Sequence, residues 1–137
     1  MTVIVCIDNK RGMAFNHRRQ SSDRKVREEM LKLCEGKRLW MNPESSDLFE
    51  EEIENNGNIC VAQDFLEKAE KEDFCFVENC GLKPYMKKMD RIVCYQWNRE
   101  YPSDLKLDVD LKKWRRISKR DFEGNSHKKI TEEVWER

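Results

Sequence analysis

The chain has 137 residues, long enough for one domain with a buried core and too short for two. Hydrophobic residues make up 38% and charged residues 39%, with 27 Lys and Arg against 27 Asp and Glu, a balance that disfavours nucleic-acid binding by bulk electrostatics. No apolar run approaches the roughly 20 residues that cross a membrane, and no charged leader precedes one, so a soluble protein of the cytoplasm is expected.

Strands and helices alternate along the chain. Residues 3–7 are rich in β-branched side chains and fit a buried strand. Residues 12–20 read as an irregular loop. Ser22 and Asp23 supply helix-start chemistry, and Val26, Met30, Leu31, Leu33 and Cys34 recur at helical spacing. That spacing predicts a helix over 23–34, stopped by Gly36. Residues 38–41 form the next strand. A helix over 45–54 carries Leu48, Phe49 and Ile53 on one face and acidic residues on the other. The turn Asn55-Asn56-Gly57 leads into a strand over 58–62. A short helix over 64–71 and a strand over 74–77 follow. Residues 81–89 read as a helix with Pro84 in its first turn, and 91–96 as a strand. After a loop at 101–104, strands over 114–118 and 130–136 flank the polar turn 123–126. Parallel crossovers ending in a hairpin predict a single α/β domain over residues 1–137.

The basic stretch at 112–116, with Lys119 and Arg120, reads as a solvated turn and strand edge, or else as a weak phosphate or RNA contact. The six cysteines contain no C-x-x-C pair, and only His17 and His127 could join them, so no metal site is expected. Cys6, Cys60, Cys75 and Cys94 each fall in an apolar run and read as small core thiols. Cys80, in a polar turn beside Gly81, reads as the most reactive.

Several local signatures keep a common order. They are Val3-Ile4-Val5-Cys6-Ile7-Asp8, Gly12-Met13-Ala14-Phe15-Asn16, Gly36-Lys37-Arg38-Leu39-Trp40-Met41 and Asn58-Ile59-Cys60-Val61. Later come Met89-Asp90-Arg91-Ile92-Val93, Tyr101-Pro102-Ser103-Asp104 with Trp114, and Glu133-Val134-Trp135-Glu136-Arg137. Together they resemble the dihydrofolate reductase family over nearly the whole chain. The resemblance implies a three-layer α/β sandwich. Its sheet would be mixed and mostly parallel, with a C-terminal antiparallel hairpin and one strand of the family's sheet lost.

The family reduces a pteridine ring with hydride from NADPH, and a buried carboxylate supports protonation of the ring. Val26 stands at the matching position here. Asp23, one helical turn earlier, is a displaced candidate acid, but it also sits where an N-cap is expected. Cys6, Val26, Met30 and Ile53 line the matching substrate pocket. Ser21 matches the mobile-loop Trp, and Asn56 the Arg that takes the folate carboxylate. Tyr95 replaces the Thr that hydrogen-bonds the acid. The family's Gly-Arg-x-Thr phosphate turn reads Asn42-Pro43-Glu44-Ser45, and its Gly-Gly turn reads Glu78-Asn79-Cys80-Gly81. Asn42, Ser45 and Asn79 are the vestigial cofactor positions, and Ser45 has the simpler role of capping the next helix. Glu44 and Glu78 would repel a pyrophosphate. The family's Ser or Arg after the third strand is matched by Ala62-Gln63.

Three functions remain open on these residues. The first is a pseudoenzyme with no cofactor, acting by binding a protein partner or a second copy of itself. Trp97, with Arg99, reads either as an interface anchor or as a residue packed on the neighbouring hairpin. The second is an NADPH-dependent reductase of a pteridine-like ring, with Asp23 or Tyr95 as proton donor. The third is a nucleotide or RNA binder using Arg11, Arg18, Arg19, Arg24 and Lys25 at the mouth of the cleft.

Overall fold

Ten strands and four short helices are described in a computed structural model covering residues 1–55 and 57–137. In chain order the first half comprises β1 (Thr2–Ile7), β2 (Gly12–Phe15), β3 (Arg18–Arg19), α1 (Arg24–Leu33), β4 (Leu39–Met41), α2 (Pro43–Ser46), α3 (Glu50–Asn55) and β5 (Ile59–Val61). The second half comprises α4 (Phe65–Lys68), β6 (Phe74–Phe76), β7 (Arg91–Gln96), β8 (Leu105–Lys106), β9 (Arg115–Phe122) and β10 (Ile130–Glu136).

The main sheet runs β5-β4-β6-β1-β7-β10-β9. Its first five strands are parallel, and β10 pairs antiparallel with both β7 and β9. This is the expected mixed sheet with a terminal hairpin. Side chains alternate across it as the strand period of two requires. Val3, Val5, Ile7 and Ile92 face one core with Phe65, Leu66, Leu82 and Met89. Ile4, Val93 and Tyr95 face the other with Val26, Met30 and Phe49. Each fully buried side chain of this size contributes about 1.5–3 kcal/mol.

Local chemistry accounts for the departures from expectation. The loop expected over 12–20 contains β2 and β3, which join β8 in a second sheet of order β3-β2-β8. Asn16 and His17 take φ of 51° and 64° between paired Phe15 and Arg18, the two-residue hairpin turn that matches strand twist. The helix expected over 45–54 starts earlier and breaks into α2, a 3-10 turn at Asp47–Phe49, and α3. Its cap is Asn42, whose Oδ1 accepts from the Ser45 N–H at 2.9 Å, with Pro43 in the first turn.

The helix expected over 64–71 ends at Lys68. Asp73 captures the Glu70 N–H at 2.9 Å, which diverts the backbone. Over 81–89 only a 3-10 segment forms, at Lys83–Lys88, beside the Asp108 carboxylate that accepts from the Leu82 N–H at 2.9 Å. The last hairpin is longer than expected, with β9 reaching Phe122. Its exposed edge is basic and carries an irregularity in register beside Val134/Trp135, two features that discourage edge-to-edge pairing. Among the described residues no helix is long and apolar enough to cross a membrane.

Candidate functional site

Val26, at 2% exposure, packs with Met30, Tyr95, Ile4, Phe49 and Phe76 in one core. Cys6 and Ile53 lie half-buried against the same cluster. The four residues expected to line a substrate pocket are thus together, in or against packed core. The Tyr95 hydroxyl donates to Glu132 Oε2 at 2.8 Å, and Arg120 links Glu132 at 3.0 Å to Glu29 at 2.8 Å. Burial, and then the Glu132 charge, push the Tyr95 phenol well above its ordinary pKa. Trp40 lies against the opposite core and donates from Nε1 to Asp73 Oδ2 at 2.9 Å.

Asp23 belongs to a separate network. It is the N-cap of α1 and accepts the Lys25 N–H at 2.8 Å. Its oxygens also take the N–H groups of Asn125 and Ser126, at 2.9 and 2.8 Å. His127 Nδ1 lies 2.9 Å from Oδ2. Burial raises the carboxyl pKa, but the hydrogen bonds from Asn125, His127, Ser126 and Lys25 outweigh it, so Asp23 titrates well below the usual carboxylate range. Such a group is a poor proton donor at neutral pH. A Cβ on Gly124 would meet Asp23 Oδ2 at 2.8 Å, so the turn closes this tightly only with glycine.

His127, which in sequence offers only a lone potential metal ligand, organises the cluster. Its Nε2 lies 2.9 Å from the Tyr101 hydroxyl and 3.2 Å from Ser21 Oγ. Its ring stacks on Trp97 with centroids 4.6 Å apart. Trp97 is only 3% exposed, so it packs on the hairpin turn and is not an exposed anchor. No local pattern marks this cluster, because Asp23 and His127 are 104 positions apart.

The two turns expected to have lost their phosphate sites are tied to each other. Arg19 Nε donates to Glu78 Oε2 at 2.9 Å, and Ser45 Oγ donates to Glu78 Oε1 at 2.8 Å. Ser45 is therefore a partner of Glu78 rather than the helix cap. Asn42 Nδ2 donates to Asn79 Oδ1 at 2.9 Å, and Asn79 Nδ2 donates to the His17 carbonyl at 3.2 Å and to Glu44 Oε2. The Glu78 charge, expected to stand free against a pyrophosphate, is offset by Arg19. A cleft of about 510 Å³ remains beside them, with Arg18, Arg19, Glu44, Asp47 and Glu78 in its wall.

The cations expected to form a basic cleft mouth are mostly committed. Arg11 donates to the Leu107 carbonyl at 3.1 Å and to the Val109 carbonyl. Arg24 donates to Asn125 Oδ1 at 3.3 Å, and Lys25 lies 4.0 Å from Glu28. Asn56 lies outside the described residues. Among the described residues no group of three or more His, Cys, Asp or Glu could hold a metal ion. Cys34, Cys75 and Cys94 are buried, while Cys6, Cys60 and Cys80 are half-buried. Burial, and then the Asp108, Glu67 and Glu44 charges, raise the Cys80 pKa, which disfavours the reactive thiolate expected there.

No family model matches the chain, and no curated protein sequence does. Among solved structures the chain is similar to a dihydrofolate reductase from Enterococcus faecalis, complexed with NADP(H) and RAB-propyl. The TM-score is 0.69 at 10% identity, over 99% of this chain and 95% of that one. That likeness is one of fold: the chain has a dihydrofolate reductase-like architecture, with a mostly parallel sheet and a C-terminal antiparallel hairpin.

Proposed function

We propose that this chain is a pseudoenzyme, a reductase scaffold that acts by binding and not by turnover. The observation that carries this reading is the closure of both phosphate turns by the chain's own side chains. Arg19, Ser45 and Glu78 satisfy one another, as do Asn42, Asn79 and Glu44. A dinucleotide entering there would have to break these bonds, and each bond to a charged group is worth about 1.5–3 kcal/mol. The substrate side supports the same reading. Val26 has no proton to give, Asp23 is held ionised, and the Tyr95 hydroxyl is committed to Glu132. A reductase would need one of them to serve as acid.

The test is NADPH oxidation with dihydrofolate, followed with tryptophan fluorescence and thermal shift on the same sample. The expected result is no turnover, and no saturable NADPH binding once Arg99, Lys128 and Lys129, three exposed cations lining a separate cleft, are replaced by Gln. Turnover above background, or micromolar NADPH binding that survives those replacements, would reject the pseudoenzyme reading and make Asp23 and Tyr95 the first residues to mutate.

A further inference from the structure

A second cleft, of about 650 Å³, lies between the turn after β7 and the turn joining β9 to β10. Its lining includes Arg99, Lys128 and Lys129 and no carboxylate. All three cations are exposed, and none has an ion-pair partner among the described residues. Arg19, Arg38, Arg91, Arg116 and Arg120 each face a carboxylate. Even the acid next to Arg99 is used elsewhere, since Glu100 pairs with Lys10 at 2.8 Å.

The two turns are held in place before any ligand arrives. Asn98 Nδ2 donates to the Lys129 carbonyl at 3.1 Å and to Thr131 Oγ1 at 3.0 Å, which fastens one turn to the other. The Arg99 guanidinium rests over the Tyr101 ring at 5.7 Å, which positions it without consuming its N–H donors. Beneath them, Asp23 holds His127 and His127 stacks on Trp97. The cleft also opens beyond the carboxyl end of β7, where open α/β sheets commonly place ligands. Three like charges around a rigid concavity focus a positive potential that only an anion relieves.

We propose that this cleft binds a compact polyanion, a di- or triphosphate chain, through Arg99, Lys128 and Lys129. The Trp97 ring is buried and already stacked on His127, so it presents no free face to a base. Recognition therefore falls on the phosphates, and a free triphosphate and a nucleoside triphosphate bind alike. The site shares no residue with the closed phosphate turns, so it stands whether or not the pseudoenzyme reading does.

The test titrates the full chain with inorganic tripolyphosphate at fixed low salt, by calorimetry and tryptophan fluorescence. ATP and single-stranded RNA are titrated in parallel. The expected result is one-to-one saturation that weakens as salt is added, with ATP matching tripolyphosphate. Lys128→Gln combined with Lys129→Gln, and Arg99→Gln separately, should each weaken binding about tenfold or more. Lys112→Gln with Lys113→Gln, in the other basic run, should leave it unchanged. No saturation at millimolar tripolyphosphate would overturn the proposal. So would equal weakening by the Lys112 and Lys113 replacements, or saturation by RNA at concentrations where tripolyphosphate does not bind.

Discussion

Arg19 meets Glu78 through two bonds, Nε to Oε2 at 2.9 Å and Nη2 to Oε1 at 3.1 Å. The pair joins β3 to the turn after β6, across 59 positions of sequence. The Glu78 side chain is only 9% exposed, so its charge depends on this partner and on Ser45. Arg19→Ala should therefore destabilise the protein by about 1–3 kcal/mol, because it strands a largely buried carboxylate. Urea denaturation measures the loss. Arg19→Ala with Glu78→Ala should cost less than the sum of the single changes. Strict additivity would mean that the pair does not hold the turns together.

Asp23 sets an acid-side dependence of stability. Its folded pKa lies below the unfolded value of about 3.9, so the unfolded chain takes up its proton first as pH falls. The stabilisation is complete above that unfolded value and is lost as pH drops toward the folded one. Asp8 and Asp73, also lowered by hydrogen bonds that outweigh burial, act in the same direction. Asp23→Asn should lower stability at neutral pH by about 1–3 kcal/mol, since its amide would face the donors of Ser126 and His127. It should also flatten the acid limb. Melting curves from pH 2 to 7 compare the two proteins, and an unchanged slope would contradict the assignment.

Tyr95→Phe removes the hydroxyl that donates to Glu132 and leaves the ring in place against Phe122, 6.3 Å away. The expected cost is about 1 kcal/mol, since Glu132 keeps Arg120 as a partner. A spectrophotometric titration of native protein should show Tyr95 still protonated where an exposed tyrosine has ionised. A phenolate at Tyr95 appearing near pH 10 would refute that burial.

Val26→Asp places a carboxylate among Met30, Phe49 and Tyr95. An unpaired buried polar group in such apolar surroundings costs about 2 kcal/mol or more. The variant should melt lower than the parent and should not oxidise NADPH with dihydrofolate. Gain of turnover would show that the closed turns do not prevent cofactor binding.

Thiol titration of the native protein should separate the cysteines. Burial pushes the Cys34, Cys75 and Cys94 thiols up to about 12, and burial, then the Glu78 charge, also raise Cys6 well above the ordinary thiol value. Cys60 lies on the three-residue edge strand β5 and should react first with an aromatic disulfide reagent. Cys60→Ser should remove the fast phase, and a fast phase that persists would move the reactive thiol to Cys80.

The amino-acid sequence by itself determined the architecture. Val3, Val5 and Ile7 alternate with Ile4, so β1 could only be a strand with a core on each face. Val26 and Met30, four apart on α1, dictated which face of that helix is buried. The Asp23 cap was legible because capping acts over two or three residues. The second sheet was not, because β3 and β8 have two residues each and form only by pairing with β2. The site depended on tertiary structure for the same reason. Whether Arg19 is free or spent on Glu78, and whether Trp97 faces solvent or His127, depends on side chains brought together from distant positions. Periodicity and capping are local and leave a trace in sequence. Charge pairing and the closure of a cleft are not local, and only the folded chain decides them.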